Sequence, residues 1–218
     1  MGELDLLNYL EGFITPERKA RILKVLEERT NYITVAMEDV FQMHNTSAVV
    51  RSCEVFGIQD AHVIEGRFGR RLDKNIAMGA QQWVDVKRYN SSLTCFETLK
   101  DNGYRIVATT PNKKAVKLND FKFDGKFALF FGTEKEGLSE GILQKADCLL
   151  TIPMFGFTNS LNISVSAAII LQHLATELRK TDLSWRLSDS EILKKRLEWT
   201  KKSVRSIDDV LARYHGLK

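Results

Sequence analysis

Short apolar runs alternate along the chain with segments whose apolar residues recur at helical spacing. The runs at 33–37, 61–64, 83–86, 105–109, 127–131 and 149–152 are rich in Val, Ile, Leu and Phe and predict strands. Between them the spacing predicts a helix capped by Asn45 and ended by Gly57, a second over 91–101 stopped by Asn102-Gly103, a short one over 139–146 and a long one over 160–180. Residues 65–75 read as a basic loop and 112–125 as a polar connection. This β–α alternation predicts an α/β fold, a mostly parallel sheet with helices on both faces, and places ligands at the carboxyl ends of the strands. Residues 1–14 read as a lead-in to a helix that Thr15 caps and Pro16 opens, running to Arg29. Ser188 to Glu191 spell a capping box, and the tail after them reads as helical to the end. The expected organisation is a basic helical extension over 1–30, a core domain over 31–180 and a second basic helical extension over 181–218.

Composition narrows the class. An apolar share of 44% across 218 residues supports a sizeable core, and a net charge of +4 permits nucleic-acid binding without demonstrating it. Cys53, Cys95 and Cys148 are far apart and form no CxxC pair, so they give neither a disulfide framework nor a zinc signature. The four His residues are scattered as well, and no metal site is expected. The first ten residues are acidic rather than basic-then-apolar, and no run approaches a membrane span; the expectation is a cytoplasmic, soluble protein. The basic residues are clustered. Arg18, Lys19 and Arg21 lie on the first helix, Arg67, Arg70 and Arg71 in the basic loop, and Lys194, Lys195, Lys201 and Lys202 in the tail. Each cluster is either a solvated face or a phosphate-contacting surface.

Three stretches carry candidate chemistry. In 151–162, Ile152-Pro153-Met154 ends a strand, a turn follows, and Ser160-Leu161-Asn162 opens a helix. Ser and Asn there can cap the orphan N–H groups of the first turn or face a ligand. In 45–51, Asn45 opens a helix in which Arg51 sits among apolar residues. A buried arginine requires an acidic partner or an anionic ligand. In 130–139, the strand end Phe130-Phe131 leads into Gly132-Thr133-Glu134-Lys135-Glu136-Gly137. The GxxxxG spacing is not a P-loop, because Leu138-Ser139 replaces the Lys-Ser/Thr pair that reaches phosphate and magnesium, and no GxGxxG supports a Rossmann site. Glu134 can pair with Arg51 or cap the helix at Ser139, and an Arg51–Glu134 contact or near-contact is expected under either reading. All three stretches follow strands, which argues for one site.

Taken together, the three stretches resemble the three ordered motifs of the SpoU/TrmH group of RNA ribose 2′-O-methyltransferases, in the knotted SPOUT class. The resemblance spans roughly residues 31–180. It implies a SPOUT-type α/β knot, a deep trefoil over about 132–180 that builds a cofactor pocket and a homodimer interface. It implies methyl transfer from S-adenosylmethionine to a ribose 2′-hydroxyl, without a metal. On the matching positions Asn45, Arg51, Glu134, Ser160 and Asn162 are the catalytic set. Thr109, Gly132, Ile152, Met154 and Leu161 hold the cofactor, largely through main-chain groups. The arginine matching Arg51 binds an RNA phosphate and is thought to take the 2′-hydroxyl proton, a demanding role because a free guanidinium titrates above pH ~12.

The resemblance also bears on the RNA. Ribosomal members often carry a separate amino-terminal RNA-binding domain, and about thirty residues precede the first strand here. The short basic helices at both ends resemble the members that methylate the D-loop guanosine at position 18 of tRNA, and methylation of 23S rRNA by the same chemistry is the alternative. A fold that keeps RNA binding without catalysis, and an unrelated small-molecule α/β enzyme, are the other readings.

Overall fold

The computed structural model describes residues 2–40, 43–66 and 79–216. Arg67, Arg70 and Arg71, expected to contact RNA, lie outside the described residues. The chain divides into two compact units, residues 30–185 and residues 1–29 with 186–218.

The larger unit is built on a seven-stranded sheet in which every pairing is parallel: β1 (Ile33–Glu38), β2 (Asp60–Ile64), β3 (Asp85–Tyr89), β4 (Arg105–Thr109), β5 (Val116–Lys117), β6 (Phe127–Phe131) and β7 (Cys148–Thr151). Their spatial order is β3-β2-β1-β6-β4-β7-β5. Every residue of β1 and β6 is buried, as a strand covered on both faces requires. Alternation sends Ile33, Val35 and Met37 to one face, with Val49, Val50 and Cys53 of α3 (Met43–Val55) and Ala167, Leu171 and Leu174 of α6 (Ile163–Leu178). Ala36 and Phe130 go to the other, with Cys95 and Leu99 of α4 (Ser92–Asp101) and Ile142 of α5 (Glu140–Lys145). The α/β architecture expected from the alternation is thus present.

Three departures have local causes. The strand expected at 83–86 is displaced: Ala80–Gln82 is a 3-10 turn and β3 begins at Asp85. Its Lys87 and Arg88 are exposed, so apolarity did not mark it. The polar connection holds the two-residue edge strand β5, whose residues are both exposed. Asn45 is not the cap of α3, because that helix begins at Met43; its side-chain amide donates to Glu134 instead.

The smaller unit packs α1 (Glu3–Glu11), α2 (Pro16–Glu27), α7 (Asp189–Ser203) and α8 (Ile207–Gly216) around Leu7, Leu10, Leu197, Val204 and Val210. The expected lead-in is therefore a helix, held by burial of Leu7 and Leu10 rather than by propensity. The helical tail is two helices, broken where Val204 leaves helical geometry and Ser206 takes φ 49°. Thr15 caps α2 by accepting from Arg18 N, and the Ser188–Glu191 capping box is formed. Arg29 is buried in this unit with its guanidinium 5.2 Å from the Trp199 ring.

Candidate active site

Three adjacent strands, β6, β4 and β7, end side by side, and the loops that leave them enclose a cavity of about 480 Å³. Thr109 closes β4, Gly132 follows β6, and Ile152 and Met154 follow β7; all four line the cavity together with Leu161. Thr109 is fixed by its Oγ1, which donates to Phe130 O across the strand pair at 2.8 Å.

The loop after β6 is a closed turn. Thr133 and Gly137 exchange backbone hydrogen bonds at 3.0 Å in both directions, and Glu136 N donates to Thr133 Oγ1 at 3.0 Å. Gly137 takes φ +73°, which favours glycine. Gly132 is required for a different reason: a Cβ there would lie 2.1 Å from the carbonyl carbon of Gly137. The turn folds back directly over Gly132, leaving its backbone as cavity wall.

Glu134, at the tip of this turn, joins the three candidate stretches. Its Oε1 accepts from Asn45 Nδ2 at 2.9 Å and from Asn162 Nδ2 at 2.5 Å. Asn162 Nδ2 also lies 3.3 Å from Asn45 Oδ1. Asn162 caps α6, its Oδ1 accepting from Ser164 N at 2.8 Å and Ser164 Oγ at 2.5 Å. The cap fixes which end of the amide faces Glu134, so capping and site geometry are one arrangement. Asn45 is buried, whereas Glu134 and Asn162 are exposed. Ser160 lines the cavity beside Leu161.

Arg51 is placed differently from expectation. It is exposed, on the stripe of α3 that also carries His44 and Val55, while Val49, Val50 and Cys53 turn inward. The Glu134 carboxylate, expected in contact or near-contact with Arg51, accepts from two asparagine amides. Glu134 does not cap α5.

That cap is made by Glu38, which sequence reasoning missed. Its carboxylate, 4% exposed at the end of β1, accepts from Ser139 N and Ser139 Oγ, both at 2.7 Å. Glu38 therefore holds the far end of the 132–139 loop while Asn45, seven residues later, holds its tip. Only the acid at the close of an otherwise apolar strand signalled it.

Two buried groups near this face have displaced titrations. Burial, helped by Lys87, pushes the His62 imidazole down to about 4, and its Nδ1 lies 3.0 Å from the Tyr89 hydroxyl. Burial, with Glu38 nearby, pushes the Cys95 thiol up to about 12, which leaves it protonated and inert at neutral pH. Among the described residues no group of three His, Cys, Asp or Glu side chains could hold a metal ion. No helix among them is long and apolar enough to cross a membrane.

Among the RNA-contact candidates, several lysines are engaged in ion pairs within their own unit. Lys19 pairs with Glu11, and Lys195 and Lys202 with Glu198. Arg18 Nε donates to Ser203 Oγ. Arg21, Lys194 and Lys201 have no such partner among the described residues.

Residues 32–172 match the model of the SpoU rRNA Methylase family. The chain is 41% identical over 203 residues to a tRNA (guanosine(18)-2'-O)-methyltransferase of Borreliella burgdorferi, covering 93% of each chain. It is 34% identical over 190 residues to the Thermus thermophilus protein of that name, covering 86% of this chain and 98% of the relative. The crystal structure of the Aquifex aeolicus TrmH/SpoU tRNA modifying enzyme superposes with a TM-score of 0.76 at 30% identity, covering 87% of this chain and 98% of that one.

Proposed function

The chain belongs to the SpoU rRNA Methylase family, and we propose that it is a cytoplasmic enzyme that methylates the ribose 2′-hydroxyl of guanosine 18 in the tRNA D-loop, using S-adenosylmethionine. The observation that carries the chemistry is the Asn45–Glu134–Asn162 triangle, whose Glu134 lines the cavity. The relatives named for tRNA guanosine-18 methylation match 93% and 86% of the chain, more than the 32–172 span of the family model, which favours tRNA over ribosomal RNA.

The cavity fits the cofactor. Its volume lies within the ~300–1,000 Å³ range of small-molecule sites, and Gly132 leaves backbone open to a ligand where any side chain would collide. Thr109, Gly132, Ile152, Met154 and Leu161 would hold it, chiefly through main-chain N–H and C=O groups. When bound, S-adenosylmethionine supplies a methyl group on a sulfonium leaving group. The protein's task is then to aim the 2′-oxygen and to take one proton. Asn45 and Asn162 fix Glu134, and Glu134 with Ser160 orients the ribose. Arg51 grips an adjacent phosphate and is the candidate proton acceptor once surrounded.

That surrounding is supplied by a second copy. Phe155 and Phe157 are 97% and 107% exposed, and the outer stripe of α6 presents Val165 and Ile169 at 44% and 39%. Val55, 63% exposed, stands one turn from Arg51 on α3. Pairing of these apolar stripes in a homodimer would remove them from water and bury Arg51 beside the site. The trefoil knot over about 132–180 belongs to this same reading: the loops after β4, β6 and β7 already converge on one cavity, as a knotted cofactor site requires. The basic surface of the terminal helices, Arg21, Lys194 and Lys201 foremost, would hold tRNA phosphates outside the core domain.

The deciding experiment is methyl transfer from labelled S-adenosylmethionine to unmodified tRNA, with the modified nucleotide mapped, for wild type and Arg51→Ala. Label at guanosine 18 that disappears in the variant is expected. Label on ribosomal RNA alone would move the substrate, and absence of cofactor binding would refute the reading.

A further inference from the structure

Thr110 and Pro111 line the cavity, and the chain leaving them carries Lys113, Lys114, Lys117 and Lys122, all exposed. The backbone that presents them is anchored. Asn112 accepts Lys114 N at its Oδ1 (2.9 Å) and Ala115 N at its carbonyl (3.0 Å). Ala115 and Leu118 are buried, and Phe121 and Phe123 pack on the core. Lysines therefore alternate with anchors along a fixed segment. Lys117 stands in register with Thr151 of β7, which is cavity wall.

None of the four side-chain ammonium groups has an ion-pair, hydrogen-bond or ring partner among the described residues. Their neighbours differ: Arg105 pairs with Asp124, and Lys126 lies 4.6 Å over the Tyr104 ring. Asp120 is the one acid between Pro111 and Phe123. A lysine on an edge strand deters unwanted strand pairing, which accounts for Lys117. Lys113, Lys114 and Lys122 lie off the strand, and edge protection does not account for them. Four like charges held on one fixed segment repel one another, and a polyanion running along it would turn that cost into binding energy.

We propose that Lys113, Lys114, Lys117 and Lys122 form a phosphate track that receives the RNA backbone beside the cavity, a grip built into the catalytic unit itself. The inference rests on the methyltransferase reading, and its ligand class is the phosphodiester backbone of the substrate RNA.

The test compares wild type with the combined Lys113→Gln, Lys114→Gln, Lys117→Gln, Lys122→Gln variant. Affinity for unmodified tRNA is measured across a potassium chloride series, with calorimetry for S-adenosylmethionine and a thermal melt alongside. Each phosphate contact contributes roughly 0.7–0.9 to the slope of log K against log salt, so the slope should fall by about 3. KM for tRNA should rise at least tenfold, while cofactor affinity, melting temperature and kcat at saturating tRNA stay as in wild type. An unchanged slope in a variant that folds and binds cofactor would overturn the track. Loss of solubility with tRNA affinity intact would overturn it too, assigning the lysines to a solubilising surface. A wild-type chain that binds cofactor but retains no tRNA at any salt would refute the tRNA reading along with the track.

Discussion

Asn162 Nδ2 and Glu134 Oε1 meet at 2.5 Å, joining the cap of α6 to the tip of the loop after β6. Asn45 reaches the same oxygen from α3. A hydrogen bond to a charged group contributes about 1.5–3 kcal/mol, or about 10- to 150-fold. Asn162→Ala and Asn45→Ala should each lower kcat for methyl transfer by about that factor. Because both amides serve one carboxylate, the double variant should lose less than the product of the single losses. Single-turnover rates on the four proteins of the cycle measure this; strictly multiplicative losses would show that the triangle is not a unit.

Gly132→Ala tests the closed turn. The new Cβ would lie 2.1 Å from Gly137 backbone, which is not a flexible side-chain end, so the turn must move. Overpacking of this kind costs about 1–3 kcal/mol of stability. Calorimetry should show S-adenosylmethionine affinity falling at least tenfold, because the displaced wall is cavity wall. An alanine variant with wild-type affinity would mean that the backbone at this position is not part of the cofactor surface.

Glu38 has a separable role. Glu38→Ala removes both acceptor oxygens and leaves the Ser139 N–H without its partner, so about 1–3 kcal/mol of local stability should be lost. Amide exchange across 133–139 should accelerate, and the KM for S-adenosylmethionine should rise more than kcat falls. Ser139→Ala removes only one of the two bonds and should have the smaller effect. Unchanged exchange in the Glu38→Ala variant would make Glu38 a bystander.

The core strands were legible because their chemistry is local. β4 and β6 coincide with the expected runs residue for residue, each a buried apolar stretch bounded by polar or glycine positions. Thr109, Gly132, Ile152, Met154 and Leu161 meet at one cavity because strand ends in a parallel sheet converge, which the β–α alternation already implied. The partners of the polar residues were not legible. Glu38 and Ser139 are 101 positions apart and Asn45 and Glu134 are 89 apart, and only the folded sheet brings them together. Arg51 was misjudged for a related reason: apolar neighbours in sequence suggested burial, but three-residue and four-residue spacing puts it on the outer stripe with His44 and Val55. β5 owes its structure to pairing with β7 and α1 to the burial of Leu7 and Leu10, and both left only weak patterns.

His62 makes stability depend on pH. It is 3% exposed on β2, beside the Tyr89 hydroxyl and in register with Lys87 of β3. Burial, with Lys87 adding to it, lowers its folded-state value from 6.5 to about 4. Between those values the unfolded chain binds the proton and the folded chain does not. Stability from this site is therefore fully present above about pH 6.5 and is lost as pH falls through about 4. The full loss is roughly 3 kcal/mol, from about 1.4 kcal/mol for each pH unit of displacement. Urea melts at pH 7 and pH 4.5 should show the wild type weakening by most of that amount. His62→Gln, which cannot take a proton, should weaken less over the same interval, whatever its stability at pH 7. Equal weakening in both proteins would assign the acid sensitivity to the carboxylates and leave His62 a neutral packing residue beneath β3.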